Sequence, residues 1–75
     1  MDDEATLDTR GLKCPLPVLK ARKRLKSMGK GEQLRILADD PMAVVDVPHF
    51  CGESGHRLVE HAQTSDGDDL YVIEK

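Results

Sequence analysis

Seventy-five residues carrying a net charge of −3 leave room for one small domain, residues 1–75, able to bury only about 60% of its unfolded surface. One Phe, one Tyr and no Trp make the core aliphatic, and with an acidic balance they argue against base-stacking or phosphate-led nucleic-acid binding. Two cysteines are too few for the disulfide framework of a small secreted domain.

The chain opens on Met1-Asp2-Asp3-Glu4-Ala5, an acidic stretch unlike a secretory signal or transit peptide, and no segment reaches transmembrane length. A cytoplasmic location is the expectation. Residues 5–8 read as a short strand, ended by a turn at Gly11.

Next comes Cys14-Pro15-Leu16-Pro17. Proline lacks an N–H and has φ fixed near the helical value, so the pair marks the first turn of a helix. Cys14 falls at or just before the N-cap, where free N–H groups and the positive end of the helix dipole favour an anion such as a thiolate. Were Cys14 the cap, Pro17 could give it nothing and only Leu16 N–H could serve it. The sulfur is then poorly covered on a stiff mount, with Arg10 and Lys13 adding positive charge, and a depressed thiol pKa is expected. An inert packed cysteine is the ordinary alternative for a single thiol. The prolines and cations favour a presented one.

Along 15–28 the apolar residues Val18, Ala21, Leu25 and Met28 recur at helical spacing with Leu19 to one side, and Gly29 and Gly31 close the helix. Lys20, Lys23, Arg24 and Ser27 take the opposite side. Eight of the 11 basic residues (Arg10, Lys13, Lys20, Arg22, Lys23, Arg24, Lys26, Lys30) fall between positions 10 and 30 with no acid among them. A solvated face is the simplest reading of Lys20, Lys23 and Arg24. Because the face borders Cys14, docking of an acidic partner is the functional one.

Residues 33–38 alternate, with Leu34, Ile36 and Ala38 on one face of a strand. Asp40 as N-cap and Pro41 at N1 open a second helix with Val44, Val47 and Cys51 on one stripe. Pro48 should kink or restart it, with Asp46 as a fresh cap, and Gly55 is its C-cap. Residues 57–63 and 70–74 flank the polar turn 64–69 and form a hairpin. The order β-α-β-α-β-β places the chain in the α/β class. It predicts a two-layer sandwich in which two helices cover one face of a mixed four-stranded sheet, the first two strands parallel.

Cys51 reads as a core residue of the second helix, with a resolving thiol as the alternative. His49, Cys51, His56 and His61 match no common zinc spacing, so no metal is expected, and His56 beside Gly55 has a structural place at the helix exit.

Asp8-Thr9-Arg10-Gly11-Leu12-Lys13-Cys14-Pro15-Leu16-Pro17 resembles the signature of the TusA-like (SirA-like) sulfur carriers, which place a Cys-Pro-x-Pro motif at the start of the first helix. Ala38-Asp39-Asp40-Pro41, Asp46-Val47-Pro48-His49-Phe50-Cys51 and Gly55-His56 continue the resemblance, which spans about 6–74. It implies a βαβαββ sandwich. It further implies that Cys14, supported by Pro15, Pro17, Lys13 and Arg10, carries sulfane sulfur as a persulfide. The sulfur would come from a cysteine desulfurase or rhodanese-like donor and pass to an acceptor protein, for example toward tRNA 2-thiouridine. Thiol exchange of this kind needs one accessible thiol and no cofactor or pocket-bound base. The expectation is therefore a monomeric carrier without cofactor, membrane contact or direct nucleic-acid contact, rather than a stand-alone enzyme. A thiol redox or peroxide sensor using Cys14 with Cys51, and a non-catalytic regulatory module, are the alternatives.

Overall fold

The six predicted elements are present in the predicted order: β1 (Ala5–Asp8), α1 (Leu16–Lys26), β2 (Gln33–Ala38), α2 (Ala43–Ser54), β3 (Arg57–Gln63) and β4 (Asp69–Glu74). The computed structural model describes residues 5–75, so the acidic stretch 1–4 and the expectation drawn from it lie outside the described residues. The strands form one sheet in the order β1-β2-β4-β3. β1 runs parallel to β2, and β4 is antiparallel to both β2 and β3. Strand alternation puts Leu34, Ile36 and Ala38 of β2, with Tyr71 and Ile73 of β4, into one cluster with residues of both helices. Both helices therefore cover the same face. The α/β sandwich is as expected.

α1 buries Ala21 and Leu25 with Val18 and Met28 partly covered, which is the predicted stripe, and Pro17, not foreseen in it, is buried too. Leu25 is fully enclosed, worth roughly 1.5–3 kcal/mol at the usual return for a buried leucine. The helix stops earlier than the predicted 28, and without a glycine cap. Ser27 caps it in the right-handed conformation, its N–H on Arg24 O at 3.1 Å, while Met28 N–H takes Leu25 O at 3.1 Å. Lys23, Arg24 and Lys26 in the last turn complement the negative end of the dipole, and Lys75 Nζ donates to Met28 O at 2.8 Å.

α2 corrects two expectations. Its buried stripe is Ala43, Val47, Phe50 and Cys51, while Val44 is 47% exposed. Phe50 offers more apolar area than Val44, and the observed set keeps the i, i+4, i+7, i+8 spacing of a core-facing stripe. Pro48 does not restart the helix, which runs unbroken through it from Ala43 to Ser54. Pro48 and Val44, whose carbonyl loses its partner, are both exposed, so water can replace the missing N–H. Asp46 accordingly sits inside the first turn rather than capping a second helix. Gly55 closes α2 as predicted, at φ +77.

Candidate functional site

The loop from β1 to α1 is fastened to the end of β2 and the segment after it at three points. Thr9, fully buried, gives both its N–H (2.8 Å) and its hydroxyl (2.6 Å) to Leu37 O. Gly11, at φ +87, turns its N–H onto the Asp39 carboxylate at 3.0 and 3.1 Å. Cys14 N–H donates to Asp40 Oδ2, and the same carboxylate takes Met42 N–H at 3.2 Å through Oδ1. These two bonds, the Cys14 bond first, hold the Asp40 carboxyl below its ordinary range, so it is anionic at neutral pH. Asp40 is thus not the N-cap of α2; Met42 is, two positions on, and Asp40 is a clamp between the cysteine loop and the start of that helix. The sequence offered only an acidic pair at a strand end, which reads equally well as a cap.

Cys14 lies one residue before the N-cap, which is Pro15, and the Cys14–Pro15 peptide bond is cis. The thiol is exposed. Its electrostatic surroundings are the reverse of the expected ones. Leu16 N–H, the one donor foreseen for the cap, bonds Lys13 O at 2.8 Å, and Pro15 and Pro17 have no N–H to offer. Arg10 does not support the sulfur either, because it forks onto Asp8 at 2.8 and 2.9 Å and reaches Asp68 at 3.4 Å. That fork pulls the Asp8 carboxyl down to about 2. The charge of Lys13 acts on Asp40. The strongest influence on the thiol is instead the Asp46 carboxylate of α2. Asp46 first, then partial desolvation and the charge of Asp40, push the Cys14 pKa up rather than down.

Cys14 stands at a groove of about 330 Å³ between the helices, with Val18 and Arg22 on the α1 side and Asp46, His49 and Phe50 on the α2 side. The groove is open, and its contents suit presentation of a sulfur to another protein better than enclosure of a small substrate.

Residues 5–75 match the family described as sulfurtransferase TusA. The chain belongs to the TusA sulfurtransferase family. The fold agrees with that membership. A solved SirA-like protein from Desulfitobacterium hafniense superposes with a TM-score of 0.84 at 25% identity, over 93% of this chain and 95% of that one.

In this TusA-family chain the second thiol is placed quite differently. Cys51 is 3% exposed within the core cluster and does not line the groove, and burial pushes its pKa up. Lys20, Lys23 and Arg24 are exposed on the other flank of α1, where with Ser27 and Leu7 of β1 they line a shallow groove of about 320 Å³. No ion pair joins them to an acid among the described residues. The histidines are dispersed. His49 lies 3.6 Å from Glu53, His56 packs on Phe50 with ring centroids 5.6 Å apart, and His61 stacks on Tyr71 at 4.4 Å. Among the described residues no three His, Cys, Asp or Glu are grouped to hold a metal ion, and no helix is long and apolar enough to cross a membrane.

Proposed function

We propose that the chain is a sulfur carrier whose Cys14 accepts sulfane sulfur as a persulfide from a cysteine desulfurase or rhodanese-like donor. The carrier then relays it to an acceptor protein, the thiolation of tRNA uridine being one destination for such a relay. The observation that carries this reading is the contrast in placement between the two thiols. Cys14 is exposed at the edge of an open groove on a loop fastened to β2 and α2, whereas Cys51 is sealed in the core. A carrier sulfur has to enter a partner's active site twice, once to load and once to unload, and only a protruding, firmly mounted thiol does that. The redox alternative requires Cys51 to leave the core and meet Cys14, at the cost of its packing. Lys20, Lys23 and Arg24 serve in this reading as the face that steers an acidic partner surface.

Incubation with a cysteine desulfurase and radiolabelled cysteine tests the proposal. Label should appear on the wild-type chain, be released by a reducing thiol, and be absent from Cys14→Ser. Label retained by Cys14→Ser, or resistant to reduction, would exclude Cys14 as the carrier.

A further inference from the structure

Asp46 has no function in the carrier scheme, yet it lines the groove at which Cys14 stands. It projects from the first turn of α2, half-buried, and lines the same groove as Cys14. Its carboxylate shares the groove with the Cys14 thiol and pushes the thiol pKa up, and no ion pair neutralises it among the described residues. The charged groups facing the sulfur come from three directions. Asp46, His49 and Glu53 belong to α2, Arg22 to α1 one turn beyond Val18, and Asp40, with Lys13 acting on it, to the loops. Arg10 is spent on Asp8 and Asp68. A thiolate on Cys14 would therefore share the groove with an unpaired carboxylate, and neighbouring like charges resist that.

We propose that Asp46 restrains the resting thiol of Cys14, and that a sulfur-transfer partner lifts the restraint by seating an Arg or Lys side chain against Asp46 in the α1–α2 groove. This rests on the sulfur-carrier reading. The partner's cation takes over the Asp46 carboxylate, the Cys14 proton passes to water, and the thiolate pair attacks the terminal sulfur of the donor persulfide R–S–SH. The donor S–S bond breaks, its electron pair leaves with R–S⁻, and R–S⁻ takes up a proton from water. The products are Cys14–S–SH and R–SH. The sulfane sulfur moves unchanged in oxidation level, so no oxidant or reductant is consumed. A carrier restrained in this way resists alkylation and oxidation between encounters and becomes nucleophilic only against a partner of the right charge. The specificity is electrostatic.

Two rates should move in opposite directions in Asp46→Asn, which keeps the shape and removes the charge. Alkylation of Cys14 by iodoacetamide, followed from pH 6 to pH 10 by peptide mass, should shift its midpoint to lower pH and quicken at pH 7 by about tenfold. Single-turnover loading from a cysteine desulfurase should slow several-fold, because the partner's cation loses its counter-charge. His49→Gln, run in parallel, removes the imidazole that lines the groove, so that its contribution is not read as that of the thiol. Circular dichroism confirms that the variants are folded, and Asp46→Glu, which restores the charge, should return both rates toward wild type. An alkylation profile in Asp46→Asn identical to wild type would overturn the restraint. Faster loading from the desulfurase in Asp46→Asn would overturn the partner's cation. Failure of the carrier reading looks different, since no variant, wild type included, would then gain sulfur on Cys14 while the alkylation profiles still reported on Asp46.

Discussion

Cys14 and Cys51 both have thiol pKa values pushed upward, and by different causes. For Cys51 the cause is burial among Ala43, Val47 and Phe50, which can be removed only by opening the core. Cys14 is exposed, and the main cause is one carboxylate, Asp46, which lines an open groove and can be reached without opening the core. A raised pKa therefore says nothing by itself about reactivity. What matters is whether its source sits in the core or on a surface that another molecule can reach.

The sharpest way to break this contrast is differential alkylation of the folded protein at pH 8. Cys14 should react at least about a hundredfold faster than Cys51, whose labelling requires opening of α2. Comparable rates would mean that the core is not closed over Cys51. Stability should divide the same pair. Cys51→Ser buries a hydroxyl in place of a thiol and should cost about 1–3 kcal/mol in denaturant unfolding, whereas Cys14→Ser should stay within about 0.5 kcal/mol of wild type. An equal cost at both positions would contradict the assignment of one to the core and the other to the surface.

A smaller effect concerns what brings a partner to Cys14. Reversal of Lys20, Lys23 and Arg24 to Glu should slow sulfur transfer on the order of tenfold at low salt, with the difference shrinking as salt screens the face. Transfer as fast as wild type at every salt concentration would leave those residues a solvated surface. The mildest prediction concerns Asp40. Its folded pKa is depressed below 3.8, so the clamp on Cys14 N–H is complete above that value and is lost as the pH falls through the folded pKa. The Cys14 amide resonance should therefore hold its position between pH 5 and 8 and move only below about pH 4. Movement near neutral pH would show that another group holds the loop.

The elements were legible because each depends on local pattern. The alternation in 33–38, the Val18, Ala21, Leu25, Met28 spacing and the Gly55 cap each read true without knowledge of the rest. What could not be read was long-range. Asp40 takes its meaning from Cys14, 26 positions away, and in isolation an acid before a proline looks like a helix cap. Arg10 next to a cysteine looks like electrostatic support until Asp8 and Asp68 claim it. Even the prolines cut both ways. They mark the helix start that presents Cys14, and they also strip that helix end of the N–H groups that would have welcomed a thiolate. Cys14 was thus singled out for partly the wrong electrostatic reason, and the Asp46 carboxylate that shares its groove, on the second helix, left no mark in its neighbourhood of the chain.

The most direct test of the account is intact mass after incubation with a cysteine desulfurase and cysteine, on wild type, Cys14→Ser and Cys51→Ser. Wild type and Cys51→Ser should each gain one sulfur, about 32 Da, that a reducing thiol removes, and Cys14→Ser should gain none. Retention of the adduct by Cys14→Ser together with its loss from Cys51→Ser would contradict the account at its centre.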